Sequence, residues 1–192
     1  KESDARRALR IFNEKSNTTD IKRTDAFDLK FLDQSKSEEI QYIGKLSVNN
    51  SCFYREYVLG NDTPEMRATS LVIGQALQQP FFTEMRTNQQ LGYIVWSYTR
   101  SRDDTYYLSF LIQSGAFTAD DVNQRADDFI ASTPELLGAM DKETFQQLKE
   151  SAIEKLEKKP MSIGERANKF QTFIFEHDAD FQRDQKTIAA LE

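Results

Sequence analysis

The sequence predicts an α+β domain, an antiparallel β-sheet with helices packed on one face. Three observations lead there. β-rich runs fill residues 39–61 and 93–114, and runs joined by turns this tight pair antiparallel. After Gly115 the apolar spacing changes to a helical period, with a capping residue before each segment. Apolar residues make up 39% of the 192, with 14 Phe among them, enough large side chains to build a core.

Each element has its own signal. Residues 3–15 read as a helix capped by Ser3 or Asp4, with Ala5, Ala8, Leu9 and Phe12 on one face. The polar stretch "KSNTTDIKRTD" and the mixed "DAFDLKFLDQSKS" read as connections. Residues 1–36 are therefore expected to be the end of a preceding domain plus a linker, and residues 37–192 the α+β domain itself. "EIQYIGKLSV" and "SCFYREYVLG" read as two strands turned by Asn49–Asn50. Thr63 caps a helix with Pro64 at its first position, Glu65 in its first turn and Met66, Val72, Ile73, Ala76 and Leu77 as its buried stripe. "PFFTEMRTNQQLG" reads as short and irregular or helical. "YIVWSYTR" and "TYYLSFLIQS" are the strongest strands, with "SRDD" as their turn. Thr118 caps a helix that buries Val122, Ala126, Phe129 and Ile130. Asp141 caps the next, with Phe145, Leu148, Ala152, Ile153 and Leu156 inward, and Pro160 stops it. Ser162 and Glu165 form a capping box for a helix whose stripe is Ile163, Ala167, Phe170 and Ile174. A short helix follows near Ile188 and Leu191. From Glu39 the expected order is β-β-α-β-β-α-α-α, then that short helix.

Charge and residue counts exclude several kinds of chemistry. Residues 1–36 hold 9 Lys+Arg and 7 Asp+Glu; by difference from the totals of 25 and 31, residues 37–192 hold 16 and 24, a net of -8. A body this acidic lacks the clustered cations of a nucleic-acid interface. No run of 18 apolar residues is present, so no membrane span is expected. The chain opens on "KESDARRALR" without Met, which suggests a processed chain or a piece of a longer one, and no compartment is assigned. There is one cysteine, Cys52, and one histidine, His177. A catalytic zinc takes about three protein ligands, mostly His, Cys and carboxylate. Residues 52 and 177 are 125 positions apart, so no cofactor is expected to be bound by this chain. Cys52 is expected to be a small apolar packing residue of its strand. His177, after "FIFE", reads as a structural residue at a helix C-terminus. The glycine patterns of dinucleotide and phosphate loops do not occur.

The most distinctive segment is "QQPFFTEMRTNQQLGYIVWS". An aromatic and apolar patch leads into polar residues, and a strand then begins with a tyrosine behind a glycine. Arginine carries five rigid donors and tyrosine a neutral hydroxyl donor. Such donors bind a peptide carbonyl or a developing oxyanion when they converge. Read locally, Arg86 is equally a surface charge at a helix end, Gly92 a turn residue and Tyr93 the start of a strand.

The segment resembles one found late in the chain of the insulinase/pitrilysin family of zinc metallopeptidases. The shared core is Arg86-Thr87 followed by Gln90-Leu91-Gly92-Tyr93-Ile94-Val95, and the likeness extends over about residues 39–192. The resemblance implies a metallopeptidase half-domain fold and a place in the carboxy-terminal, non-zinc half of a chambered endopeptidase. The amino-terminal half would hold zinc through His-x-x-Glu-His and a further Glu; no His-x-x-Glu-His occurs here. It further implies that Arg86 holds a substrate carbonyl and Tyr93 donates to the tetrahedral oxyanion. Gln89 and Gln90 are weaker candidates for substrate binding. The expected partners are the zinc-bearing half, in the same polypeptide or as a partner subunit, and peptide substrates. Two other readings stand beside this one. The same fold serves as a non-catalytic partner subunit or structural core protein, or as a peptide-binding module that adds a substrate strand to an exposed sheet edge.

Overall fold

The structure, a computed structural model, describes residues 6–7, 10–12, 14–15, 39–45, 47–102 and 104–192. The chain divides into two compact units, Lys1–Leu32 and Asp33–Glu192. In the first, the described residues are helical between Arg6 and Lys15, and Phe12, expected inward, is exposed. The expected caps at Ser3 and Asp4 and the linker over residues 16–38 lie outside the described residues.

The second unit begins with a departure from expectation. Glu39–Lys45 forms no strand, and Ile40, Tyr42 and Ile43 stand exposed. The alternation in "EIQYIGKLSV" is real, but strand propensity is realised only where a partner covers one face. Among the described residues the hairpin expected at Asn49–Asn50 is therefore absent, and the following strand pairs elsewhere. Strand β1 (Ser51–Asn61) joins β3 (Thr105–Ser114), which also pairs with β2 (Ile94–Arg102); both pairings are antiparallel and the sheet order is β1-β3-β2. β3 is central because "TYYLSFLIQS" tolerates burial on both faces: Tyr107, Leu108, Ser109 and Phe110 are all buried. The β2–β3 turn is tighter than "SRDD", since Arg102 already pairs with Thr105.

Helix α1 (Pro64–Phe82) starts as expected, with the Thr63 hydroxyl accepting from the Met66 amide. It continues through Pro80 and passes directly into a π-helical turn, Thr83–Asn88. Helices α2 (Ala119–Gly138), α3 (Lys142–Glu157), α4 (Ile163–Glu176) and α5 (Arg183–Leu191) complete the domain. Thr118, Asp141 and Ser162 cap α2, α3 and α4 as read from the sequence.

α1 and α2 cover one face of the sheet, an α+β layer fold. Their interface is the main core, in which Phe53, Leu77, Phe81, Met85, Leu91, Val95, Phe110, Ile112, Val122 and Phe129 are buried together. Phe81, Phe110 and Phe129 meet edge to face, with centroids 5.0 and 5.1 Å apart around Phe81. α3 and α5 lie against α1 in a smaller cluster of Ala68, Ala152 and Leu191. A buried ionic clasp joins the start of α1 to α5. The Asp62 carboxylate takes Arg67 at 2.7 Å and Arg183 at 2.5 Å, Arg67 Nε donates to the Thr187 hydroxyl, and Arg183 donates to the Tyr106 hydroxyl.

Three further expectations are corrected. Phe145 of α3 is exposed; the helix makes its contacts from Ala152, Ile153 and Leu156 in its second half. The stripe predicted for α4 is exposed at Ile163, Ala167, Phe170 and Ile174, and Phe173 is the buried residue. The face of α4 that packs is set by Phe173 against Phe181 and by the Lys169–Asp184 ion pair to α5. Cys52 is exposed, because the pleat sends Phe53 into the core and its neighbour to the opposite face.

Candidate functional site

Arg86 stands on the π-helical turn, which the core holds from beneath. Met85 is fully buried, and the Leu91 amide donates to the Met85 carbonyl at 2.9 Å, folding the chain back. Gln90 makes that reversal in the left-handed region, at φ 52°. π-turns are rare and recur at functional sites.

Gly92 is required by a close approach. A Cβ at this position would lie 1.9 Å from the Gln113 carbonyl oxygen of β3. Because the backbone passes so near β3, Tyr93 emerges at the mouth of β2 with its side chain 61% exposed. Arg86 Nη1 donates to the Gly92 carbonyl. The guanidinium therefore sits at the peptide that leads into Tyr93, and both residues are exposed.

Gln89 and Gln90 differ in their settings. Gln90 is exposed. Both polar atoms of the Gln89 amide are committed: Nε2 donates to Glu84 Oε1 at 2.8 Å, and Oε1 accepts from Arg125 Nη1 of α2 at 3.1 Å. Asn88 donates to the second Glu84 oxygen at 2.7 Å. Hydrogen bonds from Gln89 and Asn88 hold the Glu84 carboxyl below its ordinary pKa. Sequence reasoning missed Glu84 and Arg125. The five-residue spacing of Glu84 and Gln89 matches the π period and was a usable signal; nothing in the sequence pointed to Arg125.

Next to this corner, β2 is an edge strand with no partner on its outer side among the described residues. An open groove of about 580 Å³ runs beside it, between Gln78, Gln79 and Phe82 of α1 and Trp96, Ser97 and Tyr98 of β2. Ser97 is buried and its hydroxyl has no hydrogen-bond partner among the described residues.

The sheet face away from α1 and α2 carries a polar network. Glu56 Oε1 accepts from Tyr54, Arg100 and Ser109. Burial pushes the Glu56 carboxyl up, but the hydrogen bonds from Tyr54 and Arg100 outweigh it, and its pKa lies below the ordinary value. Among the described residues, no group of three His, Cys, Asp or Glu side chains is placed to hold a metal ion. His177 follows α4 at its C-cap, far in sequence from Cys52 on β1. Among the described residues, no helix is long and apolar enough to cross a membrane.

Comparisons with known proteins agree with this architecture. Residues 72–171, more than half of the chain, match the family described as PQQ synthase PqqF-like, C-terminal lobe domain 4. Protease 3 of Salmonella typhi is 28% identical over 134 residues, covering 70% of this chain and 14% of that protein. The A-factor-processing enzyme of Saccharomyces cerevisiae is 28% identical over 137 residues, 71% of this chain and 13% of the enzyme. The insulin-degrading enzyme of Drosophila melanogaster is 27% identical over 143 residues, 74% and 14%. The crystal structure of pitrilysin superposes with a TM-score of 0.68 at 25% identity, covering 76% of this chain and 16% of that one. The chain thus spans about one-seventh of the length of the curated relatives it matches. With the fold, the Arg86–Tyr93 segment and these likenesses in agreement, the chain belongs to the PqqF-like C-terminal lobe domain 4 family, a carboxy-terminal domain of the insulinase/pitrilysin peptidases.

Proposed function

We propose that this chain is the carboxy-terminal, non-zinc part of an insulinase/pitrilysin-type zinc endopeptidase, and that it contributes Arg86 and Tyr93 to peptide hydrolysis in a closed chamber. The observation that carries the reading is the Arg86 guanidinium bonded to the carbonyl of the Gly92–Tyr93 peptide, beside an exposed Tyr93. One of its donors is used there, and a guanidinium carries five. The remaining donors bind a substrate backbone carbonyl, and the Tyr93 hydroxyl donates to the oxyanion as the scissile carbonyl becomes tetrahedral. Zinc, held by the amino-terminal half, supplies an activated water. A glycine that lets the backbone press against β3 sets Tyr93 just before β2, and Arg86 reaches the same peptide from the π-helical turn; donors held in place before the reaction act most strongly.

Arg86→Ala and Tyr93→Phe in the complete enzyme should each lower kcat by on the order of 10²-fold, the usual effect of losing one preorganised donor. The chain alone should be inactive with or without added zinc. Unchanged turnover in both variants, or EDTA-sensitive peptidase activity of the pure chain, contradicts the reading.

A second reading, a peptide-binding module, is favoured by a separate observation: the unpaired side of β2 and the groove beside it. Trp96 lines that groove and is the single tryptophan of the chain. Titration of the chain with an unfolded peptide should then shift its fluorescence, and a flat titration removes this reading.

A further inference from the structure

The Arg86 turn is a weak element on its own. It is six residues of π-helix with an exposed, rotamer-rich arginine at its centre. Met85 and Leu91 hold its inner side in the core. On the outer side, residues 84 and 89 are tied twice. The Gln89 amide nitrogen of the main chain donates to the Glu84 carbonyl at 3.0 Å, and the Gln89 side chain donates to the Glu84 carboxylate at 2.8 Å. These two bonds close the loop of chain that contains Arg86. The free oxygen of the Gln89 amide then takes Arg125, whose guanidinium also lies over the Phe117 ring at 5.2 Å. Arg125 precedes Ala126, a buried residue of α2, so this last bond ties the turn to a packed helix.

Resting on the assignment of Arg86 above, we propose that Glu84, Gln89 and Arg125 form a positioning bridge that holds Arg86 in its working orientation. Gln89 acts through Arg86: its amide is turned to Glu84 and Arg125, with one hydrogen bond from each polar atom. Arg125 is the remote end of the bridge, 39 positions beyond Arg86, and it makes the placement of Arg86 depend on α2. Asn88 supports the same carboxylate from its other oxygen. A misplacement of about 1 Å at such a group can cost up to about 10²-fold in rate.

The test uses the complete zinc-loaded enzyme with a fluorogenic peptide. Arg125→Met keeps the side-chain stem over Phe117 and removes the guanidinium; Gln89→Leu removes the amide. Each should lower kcat about tenfold, with KM changed less than about twofold. Each is also combined with Arg86→Ala, where the additional loss should shrink below about twofold, since a residue acting through Arg86 has nothing left to position. Losses that multiply in the double variants overturn the bridge, because a general structural role adds to any other defect. Parent-like turnover of Arg125→Met and Gln89→Leu beside an impaired Arg86→Ala overturns the bridge alone and leaves the role of Arg86 standing. Parent-like turnover of Arg86→Ala overturns both. If Arg125→Met does not fold, the Gln89→Leu cycle decides by the same criteria.

Discussion

Replacing Gly92 by alanine should damage the domain far more than one methyl group suggests. Where the backbone permits it, glycine to alanine stabilises by about 0.4–1 kcal/mol through the unfolded chain. Here the new Cβ would lie 1.9 Å from the Gln113 oxygen and 2.8 Å from its carbonyl carbon, where ordinary contact begins at 3.4 Å. The obstruction is backbone, so no side chain can rotate away. β2 must move outward by about 1.5 Å, the difference between those distances. Gln113 pairs with Ile94, the first rung of the β2–β3 ladder. Overpacking costs about 1–3 kcal/mol, and a lost rung adds about 1 kcal/mol. The sum, about 2–4 kcal/mol, corresponds to a fall in Tm of about 4–16 °C for a domain of this size. Urea and thermal denaturation of the chain measure it, and exchange of the amides over residues 93–97 should rise with it. A variant as stable as the parent, or more stable by the unfolded-state term, would refute the close-approach argument.

Other outcomes follow from the same geometry. Asp62→Ala leaves Arg67 and Arg183 buried without their carboxylate and should cost about 3–5 kcal/mol; a loss under about 1 kcal/mol in denaturant titration would contradict the clasp. Glu56 has a folded-state pKa below its unfolded value. Its stabilisation is therefore complete above the unfolded carboxylate range and disappears as pH falls through the folded pKa. The stability gap between the parent and Glu56→Gln should close on acidification, and a gap constant from neutral to acid pH argues against it. Thr118→Ala removes the acceptor for the Asp121 amide and should cost about 1 kcal/mol, read as a shift in the urea midpoint at unchanged slope.

The parts of the fold that could be read from the sequence are those decided by local chemistry. The hydroxyl and carboxylate caps at Thr63, Thr118, Asp141 and Ser162 satisfy helix amides within three residues, so no tertiary knowledge was needed to find them. β2 and β3 were legible because their aromatic and β-branched runs are long and joined by a short turn. The failures share one physical cause: the partner of an apolar face is not written in that face. Residues 39–48 alternate like a strand, yet β1 found its partner in β3, more than forty residues on. The apolar residues of α4 allowed two faces, and contacts with Phe181 and α5 selected Phe173 over Ile163 and Ile174. At the site, Arg86 and Tyr93 were visible as a motif, and the need for a glycine between them became clear only from the position of the Gln113 carbonyl. Gln89 was singled out as a polar residue near the motif, but its commitment to Glu84 and Arg125 depends on α2, which the local sequence does not contain.

The clasp at Asp62 also sets an order of events during synthesis. Its bonds reach from Arg67 to Thr187, 120 positions along the chain, so a nascent chain leaving the ribosome carries the beginning of α1 long before its partners exist. The sheet and α2 can assemble first, since β1, β3 and α2 all precede residue 139. Asp62 and Arg67 can pair as soon as both have emerged, but the bonds to Arg183 and Thr187 wait for α5. Closure of so distant a contact is entropically slow, which makes this junction the place where a chaperone or a protease would meet the incomplete domain. A chain shortened before Arg183 would lack the second cation on Asp62 and the hydroxyl that accepts from Arg67.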